Sequence, residues 1–361
     1  MRVELRSRLD DGLLDELRVP STPVYSGELE RIQLAQLGHG STTYVVARDG
    51  QGRAAGLTPV YTTRPPWHPS TDPAALPPAD AATLALAGSY GVYSNYLSIG
   101  ASVPGAEAPR VAATLVEQAR TLAREAGCGH VVFPYLDPTQ AAWLAPYRAA
   151  AAAVSVREKA VLGIEWKTFD EYVSWLPTRR RTPVRRQRRR LAESGLVIRE
   201  RPVAQVAGEL APLLAQTNQR YGQDADPQRI EFHYTLLGTH LRDDFVALVA
   251  YQDGRPVACS LLLACGNRWI SKAWGCDYTR ADHRFLYFNL VFYEPISRAV
   301  ERGFALLDYG IGGLESKLER GCTVQELRTM LIASDGAASA GSGAAVPAGS
   351  DAAIGKGGHD G

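Results

Sequence analysis

The run "TRRRTPVRRQRRRLAESG", residues 178–195, holds eight arginines opposed only by Glu193. Each guanidinium is a permanent cation with a planar fork of donors that matches phosphate and carboxylate oxygens. Thr182-Pro183 reads as an N-cap followed by an N1 proline, and Gly195 as a stop, which predicts a helix over 183–194. Val184 and Leu191, one heptad apart, give it a thin apolar seam. Like charges three and four residues apart on a helix repel by a few tenths of a kcal/mol per pair. Two accounts are open: a solvated charged face with surface ion pairs, or a grip on a polyanion, which relieves the repulsion and is the more economical. On the second account Arg185, Arg186, Arg189 and Arg190 hold the anion.

Composition bounds what such a grip serves. The 361 residues are 45% apolar or aromatic, enough for a sizeable core and, by length, for two domains. Lys plus Arg number 39 against 38 Asp plus Glu, so no long-range field draws the whole molecule to DNA or to an acidic membrane. Any polyanion is met locally. Cys128, Cys259, Cys265, Cys276 and Cys322 are scattered, with no metal-ligand spacing; reduced core thiols and no metal are expected. His130, His233 and His240 likewise lack partners at metal spacing. The opening "MRVELRSRLDDGLLDELRVP" has no signal-peptide core, and no run approaches the roughly 18 apolar residues of a spanning helix. No membrane span and a cytoplasmic location are therefore expected. From about Ser334 the chain is mostly Gly, Ala and Ser, and a disordered tail is expected over 334–361.

The remainder repeats an order of elements. "TTYVVARDGQGRAAGLTPVYTT" and "DFVALVAYQDGRPVACSLLLACG" both read as two strands around an Asp-Gly turn, at Asp49-Gly50 and Asp253-Gly254. Each is followed by a further strand ("YGVYSNYLSIG"; "RWISKAWGCDY"), an amphipathic helix and a short apolar strand. Val111, Leu115, Ala119 and Leu122 recur at helical spacing, and Gly127 and Gly303 stand where C′ glycines end the two helices. The copies differ by a Pro-rich insert, "RPPWHPSTDPAALPPADAATLAL", which is expected to be a surface loop.

The stretches "AWGCDY", "LYFNLVFYEPISRAVERG" and "LDYGIGGLESKLERGC", with an Arg-rich helix after "FDEYVSWL", resemble the FemAB-like, peptidoglycan-biosynthesis branch of the GNAT acyltransferase superfamily. The resemblance covers most of residues 20–330. It implies an α/β (α+β) chain of two tandem GNAT-like domains, each a mixed central sheet flanked by helices, at 1–160 and 161–333. Glu315, Lys317 and Arg320 match the family pattern. Two places depart from it: Glu-His-Lys is here Glu315-Ser316-Lys317, and His-Phe-Glu is Tyr287-Phe288-Asn289.

GNAT-type transferases attack an activated carbonyl with an amine, which needs a bound donor, a proton acceptor and a donor group facing the oxyanion. "TRADHRFLYFN" precedes the second helix without a glycine, so the loop that cradles an acyl-CoA pyrophosphate is missing there. "SIGASVPGAEAPR", with Gly100, Gly105 and Arg110, is either an anion site in the first half or a plain surface loop. Relatives of the Fem type use aminoacyl-tRNA, and the resemblance implies transfer from aminoacyl-tRNA to an amine of a small molecule or peptide, with no cofactor besides that co-substrate. The acceptor stem would be held by Arg185, Arg186, Arg189, Arg190 and Arg320. Lys317 would face the ester carbonyl or terminal phosphate, with Asp308 and Glu315 as candidates for proton transfer. Trp274, Tyr278, His283, Tyr287 and Asn289 would line the acceptor pocket. Acyl-CoA or an acyl carrier protein is the alternative donor, and a non-catalytic RNA-binding protein on the same scaffold is a third reading.

Overall fold

The computed structural model describes residues 1–18, 40–63, 84–88, 93–95, 97–147, 151–280 and 283–335. Most of the Pro-rich insert and the tail beyond Asp335 lie outside them. The described residues form two units: Met1–Lys159 with 325–335, and Ala160–Val324.

The first unit contains β1 (Arg2–Arg6), α1 (Asp11–Leu17), β2 (Gly40–Arg48), β3 (Ala54–Thr63), β4 (Leu84–Ala87), β5 (Ser98–Ile99), α2 (Ala108–Glu125), β6 (His130–Leu136) and α3 (Pro138–Trp143). The chain leaves it within β7 (Ala151–Gly163) and returns within β13 (Thr323–Ala333). Its mixed sheet runs β1-β2-β3-β4-β6-β13, with β4 and β6 parallel. The β2–β3 turn is organised by Asp49, whose Oδ1 accepts from the backbone N–H of Gln51 at 2.8 Å and Arg53 at 2.9 Å. Helix α2 buries Val111, Leu115, Val116 and Ala119 in the core, and Gly127 ends it at φ +75°.

Two expectations change here. The third strand is β4, from the end of the insert, whereas the described residues of "YGVYSNYLSIG" contribute only the two residues of β5. Asn95 in that run is buried and donates to the carbonyls of Ala87 and Pro134, so it fastens the end of β4 instead of extending a strand. Ser334, expected to open the tail, is buried, with its N–H on Gly129 O and its hydroxyl on Cys128 O.

The second unit contains α4 (Phe169–Trp175), α5 (Thr178–Glu193), β8 (Val197–Pro202), α6 (Val203–Arg220), α7 (Pro227–Leu241), β9 (Phe245–Gln252), β10 (Arg255–Cys265) and β11 (Arg268–Cys276). There follow α8 (His283–Tyr287), a π-helical segment (Phe288–Tyr293), α9 (Glu294–Arg302), β12 (Leu306–Ile311) and α10 (Leu314–Leu318). Its sheet is ordered β12-β11-β10-β9-β8 and is antiparallel except for β11–β12. Asp253 and Gly254, both at positive φ, make the two-residue β9–β10 turn that matches strand twist. Gly303 ends α9 at φ +72°. All five cysteines are free and buried.

The arginine helix begins earlier than Thr182-Pro183 implies. Pro177 precedes its first residue, Thr178, and Pro183 lies inside it. A proline within the second turn removes one backbone donor. The first turn is held nevertheless, since Arg180 N–H donates to Pro177 O and Arg181 Nε to Leu176 O.

Gly238 marks the closest approach of α7 to α6. A Cβ there would lie 2.4 Å from Ala204 N and 2.9 Å from its Cα. Gly238→Ala gains about 1 kcal/mol of helix propensity, but backbone cannot yield as a side chain does, and overpacking costs about 1–3 kcal/mol. A lowered denaturant midpoint is expected; an unchanged or raised midpoint would show that the two helices move apart freely.

Candidate functional site

Three residue pairs join the parallel strands β11 and β12: Arg268 with Leu306, Trp269 with Leu307, and Ile270 with Asp308. Beyond Ile270, β11 carries a bulge in its register with β10, where Leu261 faces Ala273 and Leu262 faces Ser271, leaving Lys272 out. The strands thus fork at Asp308. Its carboxylate is 3% exposed, and Oδ1 accepts from Gly310 N–H at 2.9 Å.

Past the fork, Gly310, Gly312 and Gly313 all adopt positive φ and curl the backbone. The carbonyls of Tyr309, Gly310 and Ile311 converge on Lys317 Nζ at 2.7, 3.1 and 3.2 Å. An ammonium has three N–H bonds, and these three acceptors match them. Lys317, expected to face a substrate carbonyl, faces its own chain instead. It is 6% exposed, and burial pulls its pKa down to about 8, opposed by the nearby Asp308 carboxylate. Glu315, on the first turn of α10, is exposed.

Arg320, expected among the polyanion-binding residues, is also 6% exposed. Its guanidinium lies 3.6 Å from the Phe288 ring centroid, and Nη1 donates to Ser316 O at 2.6 Å. Asn289 does not line an acceptor pocket either. It is fully buried, and Nδ2 donates to Phe285 O at 2.8 Å and to Gln187 O of α5 at 3.1 Å. Its Oδ1 is buried without a partner. Tyr293 OH donates to Gln187 Oε1 at 2.5 Å. The π-helical segment therefore docks the middle of α5, a link that residue patterns do not reveal.

The remaining acceptor-pocket candidates do come together. Trp274 and Tyr287 meet edge-on at 5.4 Å, and Trp274 Nε1 donates to Tyr278 OH at 3.3 Å. Tyr278 OH lies 3.2 Å from Thr217 Oγ1, and Arg220 sits over the Tyr278 ring at 4.4 Å. Thr217 and Arg220, from the end of α6, are partners that the sequence reading missed. Tyr287 reaches Ser316, and burial raises its pKa, so its hydroxyl stays protonated. The His283 side chain lies outside the described residues.

Helix α5 divides its arginines by face. Val184 and Leu191 are its buried residues, as the heptad spacing implies. On that side Arg180 pairs with Glu319 at 2.6 Å, and Arg188 pairs with Glu294 and covers the Phe169 ring. Glu294 continues through Arg298 to Glu200 and Arg302. On the opposite face Arg179, Arg185 and Arg186 are exposed with no ion-pair or hydrogen-bond partner among the described residues, and Arg189 is only 3.8 Å from an equally exposed Glu193. Arg190, also exposed, lies over the Phe285 ring at 4.8 Å.

A family model described as peptidoglycan biosynthesis and recognition, FemAB-like, matches residues 100–339. The chain belongs to the FemAB-like family. This membership makes it a GNAT-fold transferase of the aminoacyltransferase kind. Solved structures share the fold at low identity. FemX is 11% identical at a TM-score of 0.60, covering 90% of this chain and 96% of that one. The C-terminal domain of a putative lysylphosphatidylglycerol synthetase from Agrobacterium fabrum is 12% identical at 0.55, covering 90% and 92%. A tandem GNAT protein from the clavulanic acid biosynthesis pathway is 12% identical at 0.52, covering 93% and 100%. No curated protein matches the chain. Within the FemAB-like chain no described helix is long and apolar enough to cross a membrane, and no described cluster has metal-binding composition.

The depressed Lys317 pKa has a measurable consequence. Below pH 8 folded and unfolded chains both hold its proton, and above the free value of 10.5 neither does. Between them the unfolded chain binds more protons, so Lys317 makes stability rise with pH. Relative to Lys317→Met, the wild-type chain should gain up to about 3 kcal/mol across that window, read from denaturant unfolding at a series of pH values. A flat difference would mean that the ammonium is solvated in the folded state.

Proposed function

We propose that this FemAB-like chain transfers an aminoacyl group from aminoacyl-tRNA to the amine of a small molecule or peptide. The observation that carries the reading is the outward row of Arg179, Arg185, Arg186 and Arg189, on the same unit as the β11–β12 fork, in which the first three have no ion pair among the described residues and Arg189 has a single exposed one, with Glu193 at 3.8 Å. A 16-residue helix is about 24 Å long, a span that suits successive phosphates along an RNA backbone, to which arginines bind without reading sequence. The inward arginines, closed into ion pairs, show what the same residue type does when a structural role is its only one.

In the reaction the amine nitrogen bonds to the ester carbonyl carbon, the C–O bond to the terminal ribose breaks, and one proton moves from nitrogen to the departing oxygen. Asp308, at the fork, is the proposed carrier of that proton. Lys317 is a positioning residue: by binding three carbonyls it fixes the curl that begins at Asp308. The acceptor enters at Trp274, Tyr278 and Tyr287. Arg220, stacked on Tyr278 and exposed, favours an acceptor with an anionic group.

Purified chain incubated with charged tRNA and a panel of amines should transfer label in a ribonuclease-sensitive way. Transfer from acyl-CoA alone, insensitive to ribonuclease, would overturn the tRNA reading, and RNA binding without any turnover would favour a non-catalytic binder. Replacing Arg185, Arg186 and Arg189 with alanine should weaken tRNA binding and flatten its salt dependence by roughly one unit of log–log slope per arginine, with kcat at saturating tRNA little changed. Arg220→Ala should raise KM roughly tenfold or more for an anionic acceptor, but not for its neutral analogue.

A further inference from the structure

The arginine row begins beside an unusual surface feature. Trp175, the last residue of α4, is 53% exposed although its ring is firmly seated. Its Cζ3–Cη2 edge abuts Gly321: a Cβ at that position would come within 2.3 Å of Trp175 Cζ3 and 2.6 Å of Cη2. Gly321 stands at φ +84°, so glycine suits both the backbone and the ring. Trp166 supports the ring at a centroid distance of 4.9 Å, and Tyr172 lies at 6.5 Å with the ring planes 28° apart. Leu318, 48% exposed, lies three residues from the glycine on which the ring rests. An exposed indole wedged along its edge loses little freedom when an exposed face is covered.

The charges around it indicate what covers it. Lys167 and Arg179 are exposed and have no side-chain partner among the described residues. Of the nearby acids, Glu319 is paired with Arg180 at 2.6 Å, and Glu171 accepts from the Lys167 backbone N–H at 2.8 Å. Glu165 and Asp170 are exposed. A cationic row that starts at an open aromatic face combines the two elements that hold single-stranded nucleic acid, charge for the phosphates and a π-surface for the bases. An apolar protein partner would use the ring but not the row; an acidic peptide would use the row but not the ring.

We propose that Trp175, backed by Trp166 and Gly321, is the stacking platform for an unpaired base of the RNA donor, at the point where its backbone leaves the arginine row. This rests on the reading of RNA as the donor, and the test separates the two. The full chain is titrated with two RNA hairpins, one ending in an unpaired tail and one blunt, with a fluorescent purine analogue in the tail of the first. Wild-type chain should quench the analogue. Trp175→Ala should abolish the quench and weaken binding of the tailed hairpin by ~5- to ~100-fold, with the blunt hairpin and the salt slope unchanged; Trp175→Phe should recover most of the loss. Binding of both hairpins by wild-type chain with no quench, or equal loss of both in a Trp175→Ala chain whose melting is normal, overturns the platform and leaves the arginine row standing. Failure of wild-type chain to bind either RNA overturns both. Should Trp175→Ala not fold, the quench in wild-type chain and its persistence in Trp175→Phe decide alone.

Discussion

Two cations on and just after one short helix, both almost wholly out of water, constrain the second unit. Burying an unpaired charge is costly, and removing its partners destabilises by about 3–5 kcal/mol. The surrounding elements supply partners to both, although Arg320 Nε is buried without one. Lys317 gathers the carbonyls of the curled end of β12. Arg320 combines the Ser316 carbonyl with the face of Phe288, the first residue of the π-helical segment, while its own carbonyl accepts from Tyr172 OH of α4 at 3.1 Å. Asn289, the next π residue, then reaches the backbone of α5. One short path of contacts thus runs from the β11–β12 fork to the arginine helix, so the helix that meets solvent with its charge is anchored to the place where the strands separate.

That anchoring explains how so charged a helix is stable. Its seam is thin, only Val184 and Leu191, and packing of two aliphatic side chains offsets little of the ordering cost. The inward arginines supply the rest, through Glu319 and Glu294, and Gln187 supplies two acceptors to the π-helical segment. Exposed single ion pairs contribute little, but Arg188 and Glu294 are partly buried and belong to a network continuing to Glu200. Self-repulsion on the outward face remains, and it is this residual charge that the proposed RNA donor would relieve.

What the sequence disclosed and what it hid divide along physical lines. Features set by local backbone preference were legible: the Asp253-Gly254 turn, the C′ glycines Gly127 and Gly303, and the seam of α5. Features set by what a segment packs against were not. Leu84–Ala87 is too short and too featureless to read as a strand, yet it pairs with both β3 and β6. Pro183 carries a strong N1 signal, overridden because the preceding turn is fixed by Pro177 and Arg181. In the site, the residue types at Lys317, Arg320 and Asn289 suggested contact with a ligand. The glycines at 310, 312 and 313 and the π turn redirect these side chains into the protein, and only the glycines were visible beforehand.

The two departures from the family pattern are one departure in space. The residues standing where that pattern has histidines, Tyr287 of α8 and Ser316 of α10, contact each other, and the Ser316 hydroxyl donates in turn to Gly313 O at 3.0 Å. An imidazole pair would titrate near neutrality. A phenol whose pKa burial has raised, resting on a hydroxyl, keeps its proton throughout that range. The departure therefore removes proton exchange from this corner and retains a donor, which leaves Asp308 at the fork as the carboxylate of the proposed reaction path. On the proposed reading, amide synthesis would rest on positioning and on that one carboxylate, with the hydroxyl pair holding its corner in a fixed protonation state.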